Sequence, residues 1–251
     1  MLTLIGIGLS DEKDITVKGL EAIQSADVVY LECYTSILQI TIETLEKFYN
    51  KKIIKANRDI VENKAEQTIL KDAKTKRVAF LIIGDIFGAT THIDLVTRAK
   101  QDKIKVNYIH NTSILTAVGE TGLELYKFGK VTSIPFDNHN VETPYIILQQ
   151  NKQQGMHTFF LLDLKPEQNE FLTINQAVEY LLRIEEKLKQ NLINEKTVFI
   201  GCARLGNKDS IIKSGTAKQL QNIDFGKAPH CLIIPGHLHF VEDEFLEEFK
   251  D

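Results

Sequence analysis

No stretch of lysine and arginine dense enough to make a basic stripe occurs in this sequence, and its formal net charge is −4. Nucleic-acid binders usually carry such a stripe, so no nucleic acid is expected as a partner. Cysteine is scarce: Cys33, Cys202 and Cys231 are the only three, and none belongs to a CxxC pair. An odd count without paired spacing argues against a disulfide framework. Each lies in an apolar run, which points to buried free thiols and a reducing cytoplasm. No apolar stretch approaches the roughly 20 residues needed to span a bilayer. The opening MLTLIGIGLS lacks the basic and long apolar regions of a secretory leader. A cytoplasmic protein without a membrane partner is the expectation. GxSxG, HExxH and P-loop patterns are all missing. The pair His237 and His239 has no Cys, Asp or Glu at convincing ligand spacing, so no metal is expected. Internal repeats, low-complexity tracts and coiled-coil seams are absent as well.

What is present is the composition of an ordinary globular protein, 43% hydrophobic and 25% charged over 251 residues. Short apolar runs alternate with amphipathic stretches. Leu2–Ile7, Val28–Leu31, Ile53–Lys55, Val78–Ile83 and Lys105–Ile109 read as strands. Between them, helices are expected over Thr16–Ala26, Thr41–Tyr49 (Ile42, Leu45 and Phe48 inward), Asp59–Ala73 and Thr91–Gln101. The unbroken run at Val78–Ile83 is typical of the inside of a parallel sheet. This βα rhythm predicts an α/β N-terminal domain over 1–110 with a mostly parallel sheet. A mixed α+β domain over 111–251 is expected to follow. It should contain a helix-like SILTAVGETGLELY, strands at Val131–Ile134, Thr158–Leu162, Thr197–Gly201 and Cys231–Ile234, helices at Tyr145–Lys152 and Ile174–Lys189, and an acidic amphipathic ending over Val241–Phe249.

Ligands of open α/β sheets collect outside the carboxyl ends of the strands. The first such end, Gly6-Ile7-Gly8-Leu9, admits close backbone approach. It falls short of a dinucleotide fingerprint, because residue 11 is Asp and a polar stretch precedes the helix. At the second, Gly84-Asp85-Ile86-Phe87-Gly88, a carboxylate directly after a buried strand needs partners. Asp85 either accepts from a ligand ribose or amine, or caps the next helix in competition with Thr90 and Thr91. At the third, Ser113 either turns its hydroxyl toward a ligand or caps a helix.

The stretches MLTLIGIGLSDEKDITVKGLEAI, VVYLECYTS, GDIFGATTHIDLVTRA, HNTSILTAVGETGLELYKFG, GMHTFFLLDLK and CARLGNKDSIIKSGTAKQL cover nearly the whole chain in register. Together they resemble the diphthine synthases, within the tetrapyrrole-methylase-like enzymes. The resemblance implies a two-domain fold with S-adenosylmethionine folded in the cleft between domains, and usually a homodimer. It implies cofactor contacts at Leu9, Asp85, Gly88, Ser113, Ile114 and Leu162, with others near Cys202 and His230. The implied acceptor is the amine of a 3-amino-3-carboxypropyl group on a histidine of elongation factor 2. Its methylation leaves S-adenosylhomocysteine and gives diphthine, the precursor of diphthamide. The family's usual GDPF reads GDIF here, so a slightly looser turn is expected at Ile86. The regions Asp137–Lys152 and Pro166–Thr173 are short, which resembles archaeal members. Those make a trimethylammonium product, whereas eukaryotic members add a methyl ester.

Arg204 follows a strand end and is the candidate to hold the acceptor's carboxylate, the alternative being an ion pair with a structural acid. No catalytic base stands out. His92, His110 and His157 lie near strand or motif ends, and a structural hydrogen-bonding role is the plainer expectation for each. A tetrapyrrole or precorrin methyltransferase, or a non-catalytic relative that binds the cofactor or only a protein partner, are the competing readings on one scaffold.

Overall fold

The structure, a computed structural model, describes residues 1–250. The chain forms two compact units. The first is Met1–Ala117 with Gly206–Lys208; the second is Val118–Leu205 with the remainder from Asp209 onward.

In the first unit, strands β1 (Leu2–Gly6), β2 (Val28–Glu32), β3 (Ile54–Ala56), β4 (Val78–Ile82) and β5 (Val106–Ile109) make one sheet in the order β3-β2-β4-β1-β5. Every pairing in it is parallel. Strand alternation sends Leu2, Leu4, Phe80 and Ile82 to one face and Ile5, Ala79 and Leu81 to the other. Helices α1 (Val17–Ser25) and α2 (Ile42–Tyr49) cover the second face. Helices α3 (Arg58–Glu62), α4 (Ile69–Thr75) and α5 (Ile93–Gln101) cover the first. Neighbours β1 and β4 therefore lead into helices on opposite faces, the arrangement that opens a crevice at the strand ends. A short helix, α6 (Ile114–Ala117), follows β5.

The second unit is built on β6 (Thr132–Ile134), β7 (Thr158–Leu162), β10 (Val198–Ala203), β11 (Ile211–Thr216) and β12 (His230–Ile234). Between β7 and β10 lies a small hairpin, β8 (Leu164–Lys165) with β9 (Glu170–Phe171). The main sheet runs β11-β10-β12-β7-β6, with only β6 and β7 parallel. Its core is filled by α7 (Thr143–Gln153) and α8 (Ile174–Leu188), the latter through Ile174, Ala177, Val178, Leu181 and Ile184. Thr173 and Gln176 close a capping box at the start of α8. The remaining helices are α9 (Ala217–Leu220) and α10 (Phe240–Leu246).

The parallel sheet followed by a mixed one agrees with the sequence reading, with local exceptions. Asp59–Ala73 is not one helix. Thr68 leaves helical geometry at φ −126°, ψ −97°, and its hydroxyl bonds to the Lys64 carbonyl, so side-chain hydrogen bonds break the helix into short pieces. Val61, Ala65 and Ile69 are nevertheless all buried. The helix expected after Ser113 stops at Ala117 and continues as tight turns, with Gly122 at φ +80°. In α2 the inward pair is Leu45 and Tyr49, while Phe48 is exposed. Strand β11 went unforeseen: its partly exposed Ile-Ile-Lys edge gives a weak alternation.

Candidate functional site

The carboxyl ends of β1, β4 and β5 are tied together by backbone and side-chain hydrogen bonds. Gly8 and Gly84 form a mutual bridge, with the Gly84 amide donating to the Gly8 carbonyl at 2.8 Å. Both need positive φ, +79° and +84°, which favours glycine. Asn111 clamps the cluster from β5, its side-chain amide donating to the carbonyls of Gly6 (3.0 Å) and Asp14 (2.9 Å). Asp14 returns a carboxylate to the amides of Leu9 (3.1 Å) and Ser10 (2.8 Å). Asn207, counted with this unit, donates to the Leu9 carbonyl at 3.2 Å.

Asp85 sits inside this cluster with its side chain 14% exposed. Its Oδ1 accepts from the Phe87 amide (3.0 Å); its Oδ2 accepts from the Asn111 amide (3.1 Å) and meets His110 Nδ1 at 2.8 Å. Burial alone would raise this carboxyl, but the bonds from Phe87, Asn111 and His110 outweigh it and hold the pKa below its ordinary value. Asp85 thus caps its own turn and anchors β5; it does not cap the next helix. About one of four lone-pair positions, on Oδ1, is left for a ligand. Asp85→Asn is accordingly expected to lower unfolding free energy by about 1–3 kcal/mol, because an amide NH₂ would face a donor. Urea denaturation checks this, and an unchanged midpoint would show that the carboxylate is not a structural anchor.

Gly88 packs tightly on Ser113: a Cβ at Gly88 would lie 2.1 Å from Ser113 Oγ. This contact fills the space beside Gly88. Ser113 Oγ in turn accepts from the Leu115 amide at 3.1 Å, the capping role, and Ile114 opens α6. Gly84, also buried, is packed less tightly: a Cβ there would meet Leu9 Cδ2 at 3.5 Å and the Thr112 carbonyl at 3.7 Å, ordinary contacts. Five of the residues expected to bind the cofactor, Leu9, Asp85, Gly88, Ser113 and Ile114, therefore share one cluster. Ile86 is fully buried in the sheet's core, so the residue replacing proline contributes packing.

In the second unit, the strand registers place Leu162 and His230 side by side on the face covered by α8. Cys202 lies on the opposite face against Cys231, fully buried. Its thiol is held well above its ordinary pKa, by the Cys231 contact first and then by burial. His230 Nε2 meets the Lys227 carbonyl at 3.2 Å, and Nδ1 is unbonded. Arg204, expected to meet the acceptor's carboxylate, is 5% exposed and engaged elsewhere. Its Nε donates to Asp209 Oδ2 at 2.8 Å, and its terminal nitrogens to the carbonyls of Asp209, Phe225 and Lys227. That is the structural alternative: the guanidinium staples two loops.

The three histidines differ. His157 is a structural histidine, bonded to Glu242 (3.0 Å) and accepting from the Gly236 amide (3.0 Å). His110 is 64% exposed and partners Asp85. His92 is buried with neither ring nitrogen hydrogen-bonded, against expectation. Sequence reasoning missed Asp14, Asn111 and Asn207. Short polar residues just beyond strand ends were the available signal.

The model of the tetrapyrrole (corrin/porphyrin) methylases matches residues 1–221. A diphthine methyl ester synthase of Dictyostelium discoideum is 44% identical over 269 residues, covering all of this chain and 98% of its own. A diphthine synthase of Methanocella arvoryzae is 43% identical over 252 residues, covering 99% of this chain and 97% of its own. A crystal structure of diphthine synthase superposes with a TM-score of 0.91 at 38% identity, covering all of this chain and 96% of that one. With a fold, a strand-end cluster and full-length relatedness in agreement, this chain belongs to the diphthine synthase family of tetrapyrrole methylases and is a methyltransferase of diphthamide biosynthesis.

Proposed function

We propose that the chain methylates, from S-adenosylmethionine, the amine of the 3-amino-3-carboxypropyl group on a histidine of elongation factor 2. The observation that carries this reading is identity of 43–44% along the whole chain to proteins named for diphthine chemistry. The bound sulfonium supplies an electrophilic methyl group. The residues present fit such a ligand: the strand-end cluster gathers Leu9, Asp85 and Ser113, and about one lone pair on Asp85 Oδ1 is left to accept from it. Leu9, Asp85, Gly88, Ser113 and Ile114 are the first unit's proposed contacts, Gly88 and Ser113 through backbone and hydroxyl. Leu162, Cys202 and His230 are the second unit's; buried Cys202 contributes backbone only. The chain's part in catalysis is to orient the acceptor and keep its amine neutral in a desolvated setting.

The alignment runs over 269 residues with the Dictyostelium protein and 252 with the archaeal one, against a chain of 251. The shorter, nearly gapless match favours the archaeal-type trimethylammonium product over the methyl ester. A cytoplasmic homodimer is the proposed form. Exposed Leu125, Tyr126, Phe240 and Val241 support it, since the Glu242 bond to the Glu124 amide brings their two segments together. The test is mass spectrometry of elongation factor 2 bearing the carboxypropyl group, after incubation with enzyme and S-adenosylmethionine. Methylation at the modified histidine is expected, stable to mild alkali; an alkali-labile methyl would assign the ester. No methylation while calorimetry registers bound cofactor would overturn the reading.

A further inference from the structure

His110 stands at the end of β5, three residues before Ser113, within the cluster that holds the first unit's proposed cofactor contacts. Its Nδ1 lies 2.8 Å from Asp85 Oδ2. That carboxylate is fixed in turn by the amides of Phe87 and Asn111. Held below its ordinary pKa, Asp85 is ionised at neutral pH and can only accept. Nδ1 must therefore carry a proton, and in the neutral ring the lone pair falls to Nε2. The His110 side chain is mostly exposed, and no bond among the described residues occupies Nε2. A carboxylate that sets the tautomer of an imidazole, with the other nitrogen left open, is the arrangement of a general base and its orienting group.

The surroundings suit an acceptor side chain. Phe87 packs beside His110 with ring centroids 6.1 Å apart, and Tyr108 lies 5.6 Å from Phe87. Both rings are partly exposed, so they offer an apolar surface beside the imidazole for methylene carbons. The other histidines near strand or motif ends lack these features. His157 has both nitrogens bonded. Burial pushes His92 down to about 4, and with 1% of its surface exposed it is a weak base with no path for a proton.

We infer that His110 is the base of the methyl transfer: Nε2 takes a proton from the acceptor's ammonium group, and Asp85 is the positioning residue that holds the ring for it. The inference rests on the acceptor proposed above. As Nε2 takes the proton, the N–H electron pair stays on the acceptor nitrogen and forms the new N–CH₃ bond. The pair of the broken S–CH₃ bond stays on sulfur, giving S-adenosylhomocysteine. The imidazolium then passes its proton to water from its exposed edge. Three such rounds replace three ammonium protons by three methyl groups. Forming a methyl ester breaks no N–H bond and needs no such base.

Substitution separates the base from the anchor. In His110→Asn the amide nitrogen takes the place of Nδ1, so the bond to Asp85 survives while the basic nitrogen is lost. Transfer to modified elongation factor 2 should fall about 100-fold or more, the scale of a lost general base, while the S-adenosylmethionine Kd stays within about twofold. Imidazole added to His110→Gly should restore part of the rate. Wild-type transfer by His110→Asn would assign His110 to the anchoring of Asp85 alone and overturn the inference. A second measurement needs no transfer. Nitrogen NMR of the histidine rings, with His110 identified by its loss in His110→Asn, should show the Nδ1–H tautomer in the wild type. Asp85→Asn should lose that preference; its survival there would remove Asp85 as the positioning residue. A neutral wild-type ring protonated at Nε2 would overturn the inference whatever the rates. Absence of transfer by the wild type would instead strike the proposed function, and the tautomer would still tell whether a base is built there.

Discussion

Glu242→Ala is expected to lower folding stability by about 3–5 kcal/mol, the range for removing one partner of a buried ionic network. Glu242 lies on α10 with 1% of its surface exposed. Its Oε1 accepts from the Glu124 amide (2.9 Å) and from His157 Nε2 (3.0 Å). Its Oε2 accepts from the His239 amide (2.7 Å) and from Lys127 Nζ. One carboxylate thus joins the turn before β6, the start of β7 and the cap of α10. Alanine would leave four donors facing a void. Burial by itself would raise the Glu242 pKa, but the bonds from Lys127, Glu124, His239 and His157 outweigh it and bring it down to about 2. The folded value is below the unfolded one, so the stabilisation is present at neutral pH. It is lost as pH falls from about 4.3 through 2, by roughly 3 kcal/mol. His157 adds an earlier loss. Burial holds it below its ordinary value, so the unfolded chain takes up that proton first and stability declines as pH drops below about 6.5. Urea denaturation at pH 7, 5 and 3 would show both steps in the wild type. In Glu242→Ala the loss below pH 4.3 should shrink, leaving the part that comes from Asp85 and the other carboxylates held below their ordinary values. An alanine variant with the wild-type midpoint would mean that the network contributes nothing.

Much of the fold could be read from the apolar runs because the inner strands of the first unit, β1, β2 and β4, are buried on both faces. The run Val78–Ile83 has no polar residue to mislead, and a carboxylate placed directly after it had to find partners. Leu9, Asp85, Gly88 and Ser113 are implied by the family resemblance, and each lies within a few residues of a strand end. What gathers them could not be read. Asn111 reaches the Gly6 carbonyl across 105 positions, and Asn207 reaches Leu9 across 198. Side-chain bonds to distant backbone leave no local pattern. Arg204 shows the same limit from the other side. Its position after a strand suggested an exposed anion-binding fork, yet it adopts φ +54° and turns back to carbonyls 21 and 23 residues away. His92 was ambiguous for a different reason. A bonded and an orphaned buried histidine look alike in sequence, and only the surrounding atoms separate them.

The close contact at Gly88 leads to the other large expected effect. Alanine there should weaken S-adenosylmethionine binding by about 100-fold, the scale that a displacement near 1 Å imposes on an aligned site. Its methyl would fall 2.1 Å from Ser113 Oγ and 2.7 Å from Ser113 Cβ, so rotating the hydroxyl away does not relieve the overlap. Rotation would also release the Leu115 amide that the hydroxyl caps. The loop after β4 and the start of α6 must then separate, and both carry proposed cofactor contacts. Global stability should fall less than affinity, because the loop lies at the sheet's rim while the strands beneath keep their partners. The second substitution that isolates this mechanism is Ser113→Gly, which removes both clashing atoms. Ser113→Gly alone should weaken binding modestly through the lost cap. In the double variant, affinity should recover above that of Gly88→Ala, a coupling that independent sites cannot show. Calorimetry on the four proteins measures the cycle. Additive losses would mean that Gly88 acts on the cofactor without Ser113, and full affinity in Gly88→Ala would remove this loop from the binding site.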